Sequence, residues 1–92
     1  MIVALLAVTL LAGGQAKSGD LPREVGQFVE RRMECDHWTG EEAYDKARGR
    51  EINRAIRELR CERIERDDRR LMERYSGSPK VLEALRIARE GV

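Results

Sequence analysis

The chain's only His, its only Trp and one of its two Tyr fall in a single short stretch, Cys35-Asp36-His37-Trp38-Thr39-Gly40-Glu41-Glu42-Ala43-Tyr44-Asp45. Asp36, Glu41, Glu42 and Asp45 supply carboxylates there, and no Lys or Arg interrupts them before Lys46. An imidazole and carboxylates beside aromatic rings can hold a cation or a basic group of a partner. Asp36, His37, Trp38, Glu41, Glu42, Tyr44 and Asp45 are therefore the candidate binding residues. Acid–base catalysis through His37 with Glu41 or Glu42 is conceivable in outline. However, His37 is the sole imidazole, no Ser or Cys nucleophile is indicated beside it, and so short a chain leaves little room for a water-excluding pocket. No catalytic residues are assigned and no enzyme is expected. A metal site would need a spaced second His, so no metal and no cofactor are expected. The same residues also have a purely structural reading. Trp38 would cover a disulfide, His37 would bond a carboxylate or carbonyl, Glu41 and Glu42 would favour a helix N-terminus, and Asp45 would pair with Arg48.

The two cysteines, Cys35 and Cys61, bear on how that stretch is held. In an oxidising compartment an even pair in a short chain reads as one disulfide. Closing a loop of about 26 residues stabilises a fold by roughly 3 kcal/mol in the chain-entropy description. The alternatives are a zinc site, for which one His and two distant Cys are a weak ligand set, and a redox pair, for which the C-x-x-C spacing is lacking.

The elements that must position these residues are helices. Pro occurs only at 22 and 79, no segment alternates like a half-buried strand, and Arg, Glu, Ala, Leu and Ile dominate. A first helix is expected from about Asp20, with Pro22 in its first turn and Val25, Phe28, Val29 and Met33 on one face, ending near Cys35. Residues 36–43 are expected to link it to a second helix from about Glu41 to Arg60. Thr39 and Glu42 would form a capping box at its start, and Tyr44, Ala47, Ile52, Ala55, Ile56 and Leu59 would line one side. The next apolar set, Cys61, Ile64, Leu71, Met72 and Tyr75, points nearly opposite, so a break is expected just after Cys61. A third helix would begin near Asp67 or Asp68 and end at Tyr75. Gly77, Ser78 and Pro79 then mark a stop, a cap and a restart, followed by a last helix carrying Val81, Leu82, Leu85 and Ala88. The expected fold is all-α, a small bundle of three to four helices.

One geometric conflict accompanies the disulfide. An unbroken helix from Glu41 to Arg60 is about 30 Å long, yet the cysteines flanking it must bring their Cα atoms within roughly 7 Å. Either the link runs back along the second helix or that helix starts later, near Tyr44; the link is expected to lie against the second helix, which gives Trp38 a surface to pack on.

Residues 1–16 hold no charge, so all 18 Lys and Arg and all 17 Asp and Glu lie in residues 17–92. The apolar run Ile2–Ala12, followed by small residues at Gly13, Gly14 and Ala16, reads as a secretory signal peptide cleaved after Ala16, although no Lys or Arg precedes the run. It is too short to cross a bilayer, which takes about 20 residues. The expected organisation is a signal peptide over 1–16 and a single small helical domain over 17–92. The protein is expected to be exported, periplasmic or secreted, with no membrane anchor.

The formal net charge is only +1, which gives no case for a polyanion partner. Arg48–Arg74 contains ten Arg and seven acids, interleaved as in Glu62/Arg66 and Glu65/Arg69. That spacing describes a solvated, self-paired helix face, and no nucleic-acid partner is expected.

The pattern Cys35-x-His37-Trp38-x-Gly40-Glu41-Glu42-x-Tyr44-Asp45-x-x-Arg48, then Cys61, Asp67-x-x-x-Leu71-x-x-x-Tyr75 and Pro79-x-Val81-x-x-x-Leu85, resembles a group of small exported bacterial proteins of unknown function. The resemblance spans nearly the whole mature chain and implies a helical, disulfide-linked exported protein. It lends no activity and no residue roles. The functional expectation is a small non-catalytic binding protein that acts by protein contact, as an inhibitor or accessory subunit of an envelope protein. The alternatives are a small-ligand or metal-ion binder using His37 and its carboxylates, and a purely structural envelope protein.

Overall fold

Pro22 sets the start of the first helix: its carbonyl accepts from the N–H groups of Val25 and Gly26 at 3.0 and 3.1 Å. The computed structural model describes residues 21–91, so Asp20 and the expected signal peptide over 1–16 lie outside the described residues. Four α-helices follow in order: α1 (Arg23–Thr39), α2 (Lys46–Glu58), α3 (Ile64–Arg74) and α4 (Pro79–Glu90). A single 3-10 turn, Cys61–Arg63, leads into α3. The fold is all-α, with a disulfide between Cys35 and Cys61 whose Cα atoms are 5.6 Å apart.

Helix α1 runs one turn beyond the expected end at Cys35, because no helix breaker stands between Asp36 and Thr39. Its buried face is Val25, Phe28, Arg32 and Cys35, a helical spacing that meets Ile64 and Leu71 of α3 and Val81 and Leu85 of α4. Burying each of these apolar side chains contributes about 1.5–3 kcal/mol. Met33, expected on this face, is 58% exposed, since it lies to one side of the Val25–Phe28–Arg32–Cys35 line. Helix α4 begins as the sequence predicts: Ser78 is the cap, accepting from the N–H of Val81, and Pro79 is the first helical residue.

Helix α2 starts at Lys46, which resolves the geometric conflict of the disulfide. The shorter helix ends at Glu58, and the chain reverses before Cys61 instead of carrying it further away. The reversal needs Arg60 in the left-handed region, φ 54° and ψ 50°. An arginine there costs about 1–2 kcal/mol, which a glycine would avoid. Helix α3 then begins at Ile64, earlier than the Asp67 or Asp68 expected, because the 3-10 turn already re-aims the chain. Both acids thereby fall inside the helix instead of at its start.

Among the described residues two charged side chains share the core: Arg32 is 6% exposed and Asp68 only 2%. Asp68 accepts from Arg89 Nε of α4 at 2.9 Å and lies 3.8 Å from Arg32 Nη1 of α1. Arg32 also donates to Glu65 at 2.6 Å. Beside it, Arg31 donates to the carbonyls of Leu59 and Arg60 at 2.6 and 3.1 Å and to Asp67 at 2.9 Å. The acids of α3 thus tie it to α1 and α4. The Glu65/Arg69 pair expected from the sequence is not formed, because Glu65 turns to Arg32 instead, whereas Arg48–Glu51 does pair along its helix. At the far end Tyr75 donates its hydroxyl hydrogen to Glu24, and this bond raises the Tyr75 phenol above its ordinary value.

Candidate functional site

The segment that concentrates the chain's chemistry spans the end of α1, the loop 40–45 and the first turn of α2. Thr39 closes α1 by donating its hydroxyl hydrogen to the Cys35 carbonyl at 2.8 Å. The Gly40 N–H donates to the carbonyls of Asp36 and His37, both at 3.2 Å. A Cβ at position 40 would stand 3.3 Å from the Asp36 carbonyl oxygen, so the smallest residue suits this tight exit. Thr39 therefore ends a helix and does not open the next with Glu42 as a capping box. Asp45 is the cap of α2, its carboxylate accepting from the Arg48 N–H at 2.8 Å. The short Asp side chain reaches its own backbone three residues on, and Arg48, not a Glu or Gln, occupies the position a capping box would need.

The Asp45–Arg48 pair expected from the sequence is thus a backbone cap. The Arg48 guanidinium goes elsewhere. It donates to Glu41 of the loop and to Glu51 of α2, each at 2.7 Å. Its carbon lies 5.2 Å from the centre of the Trp38 ring and 6.0 Å from that of Tyr44, within cation–π range for both. His37 meets Trp38 edge to face at 5.2 Å. Its Nε2 is 3.4 Å from Glu41. The Arg48 hydrogen bond, helped by the charges of Arg48 and His37, holds the Glu41 carboxyl below its ordinary value against the smaller opposing effect of desolvation. The same bonds to Glu41 and Glu51 raise Arg48 above the usual arginine range.

Of the candidate residues, His37, Trp38, Glu41 and Tyr44 are brought together around Arg48. Asp36 and Glu42 are exposed and stand outside the cluster, and Asp45 caps. Tyr44, expected on the apolar side of α2, lies before that helix and is 81% exposed. Trp38 is half-buried and packs under the Arg48 guanidinium of α2, so the ring does find that helix. Sequence reasoning missed Arg48 as the organiser and Glu51 as its second anchor. The available signal was an arginine in the first turn of α2, three residues after a capping Asp, with Glu51 three residues further on. Among the described residues no group of three or more His, Cys, Asp or Glu converges as a metal site would require. None of the described helices is long and apolar enough to cross a membrane. Comparison with known proteins finds no matching family model, no similar curated protein and no similar solved structure.

Proposed function

We propose that the protein is a small exported, non-catalytic binding protein that acts by contact with another protein through the His37–Trp38–Tyr44–Arg48 surface. The carrying observation is Tyr44, a large aromatic side chain presented to solvent from a loop whose neighbours are already fixed. Trp, Tyr and Arg dominate the binding energy of protein interfaces. Arg48, anchored by Glu41 and Glu51 and lying over two rings, holds that surface in place before a partner arrives. Less ordering entropy is then lost on association. Export is supported by the Cys35–Cys61 disulfide, a bond that persists in oxidising compartments. The partner chemistry that fits is a surface with a pocket for the Tyr44 ring and a basic or donor group for the exposed edge of the Glu41 carboxylate.

One observation favours a purely structural role instead: the Glu41–Arg48 bond also fastens the loop to α2. Tyr44→Ala separates the two. It removes an exposed ring, so the melting temperature should stay within a degree or two. Capture of a defined envelope protein, measured as an affinity, should fall at least about tenfold, as for the loss of an interface anchor. Equal affinity for every captured protein by wild type and Tyr44→Ala would leave the structural role standing and remove the binding one.

A further inference from the structure

Several arginines of this protein are well supplied with acceptors: Arg48 has two carboxylates at 2.7 Å, Arg86 is bound by Glu83 and Glu90, and Arg31 has three acceptors. One group differs. Arg60, Arg63, Arg66 and Arg70 line a single open cleft of about 520 Å³ where the α2–α3 reversal meets the outer face of α3. None of the four guanidinium groups makes a hydrogen bond within 3.5 Å among the described residues. The nearest carboxylates to Arg63, Arg66 and Arg70 are 3.8–3.9 Å away, on Glu62 and Asp67, and Arg60 has none within 4.0 Å among the described residues.

The cause lies in the core. The acids of α3 that could have paired along the helix face other helices: Glu65 is bonded to Arg32, Asp67 to Arg31 and Asp68 to Arg89. The arginines between those acids are left under-neutralised on the outside, and the 3-10 turn gathers them onto one side. Glu58 and Asp67 are the acids lining the cleft, against Arg31 and the four arginines, so its local charge is positive on a chain whose formal net charge is only +1. Arg60 adds an independent sign. It occupies a left-handed position better suited to glycine, and its backbone is held there by Arg31 bonded to its carbonyl and by the Arg63 N–H donating to the same oxygen at 3.0 Å. Non-glycine residues retained in such conformations gather at functional sites.

We propose that Arg60, Arg63, Arg66 and Arg70 form a binding site for a phosphoryl group, as pyrophosphate or a phosphomonoester. Guanidinium forks match the tetrahedral oxygens of phosphate with paired, charge-assisted hydrogen bonds. Several arginines converging from a turn and a helix suit a group with more than one negative charge. The cleft is roomier than one phosphate requires, which accommodates a second phosphate or the body of an ester. This site lies on α3 and the turn before it and does not depend on the Tyr44 surface.

The test is calorimetric titration of the purified, disulfide-bonded chain with inorganic pyrophosphate at low ionic strength. The expected result is saturable one-to-one binding that weakens as sodium chloride is added. Arg60→Gly should weaken it at least about tenfold, the size of one lost charge-assisted contact. Because glycine suits that backbone, this variant should melt at the same or a higher temperature, so loss of binding would not be loss of fold. Arg66→Ala/Arg70→Ala should weaken binding further, and Glu58→Gln should tighten it. Sedimentation with phosphatidylcholine vesicles, with and without phosphatidic acid, identifies the source. Binding only to the phosphatidic acid vesicles, competed by pyrophosphate, assigns a lipid headgroup, and pyrophosphate binding without vesicle binding assigns a soluble phosphoester. No saturable binding of pyrophosphate, or equal affinity in wild type and Arg60→Gly, overturns the proposal. So does binding of a single-stranded RNA oligomer that pyrophosphate does not displace and the variants do not weaken.

Discussion

Arg48 shows how one side chain can organise a surface. It is the common neighbour of Glu41, Glu51, Trp38 and Tyr44, which come from three segments of chain. Its charge is permanent at any ordinary pH, so the acid sensitivity of its bond to Glu41 belongs to the carboxylate. Glu41 has its carboxyl lowered from the ordinary 4.5, chiefly by the Arg48 bond. A carboxyl lowered in the folded state contributes stability that is complete above its unfolded value and is lost as pH falls through the folded value. Trp38 is the only Trp, so its emission reports this cluster alone. In a His37→Gln background, which removes the imidazole that touches the ring, that emission should be constant from pH 7 to 5 and change only below about 4.5, and Glu41→Gln should abolish the step. In that background a transition centred above pH 5, or one that persists in Glu41→Gln, would show that the Glu41–Arg48 bond does not hold the ring. At this scale the types of the site residues were legible, since His37, Trp38, Glu41 and Tyr44 do gather. Their arrangement was not, because Thr39 and Asp45 are both good caps in isolation. Only the continuation of α1 through Trp38 decides between them.

The helices themselves followed from apolar spacing and punctuation, and the clearest signals were the most reliable. Ser78-Pro79 opens α4 as expected, and the opposed faces do mark a break, which falls at Leu59–Arg60, before Cys61 and not just after it. What spacing could not reveal was the buried Arg32 and Asp68. Both sit on the apolar stripes of their helices, Arg32 between Phe28 and Cys35 and Asp68 between Ile64 and Leu71. A count of hydrophobic positions passes over a charge on a stripe, although such a charge implies a partner across the interface. Asp68 joins α3 to α4 through Arg89 and faces Arg32 of α1. Asp68→Ala would leave Arg32 with one partner fewer and Arg89 without its carboxylate. Urea unfolding should show a loss of about 3 kcal/mol or more, the cost of breaking a buried ion pair from one side. A loss under 1 kcal/mol would mean that the contact is not buried in solution.

For the molecule as a whole, a thin core and one cross-link share the stabilisation. The apolar cluster contains few large residues, and the described loops are short, so a disulfide worth roughly 3 kcal/mol is a large part of the total. It also sets the function proposed for the Tyr44 surface. Cys35 is buried one turn before the end of α1, and its bond to Cys61 fixes where that helix stands relative to the reversal after α2. The loop 40–45 must then span a fixed gap, which brings Trp38 under Arg48. The same reversal exposes the arginine cleft. The pairing was legible from two cysteines in a short chain. The later start of α2 that makes it feasible was one of two solutions, and the cap at Asp45 selects it.

Counting thiols in the protein recovered from its own cell, denatured without reductant, bears on this most directly. The account predicts no reactive thiol, with two appearing after reduction. Two free thiols before reduction would mean that Cys35 and Cys61 are not joined, and neither the oxidising compartment nor the fixed loop beneath Tyr44 would stand.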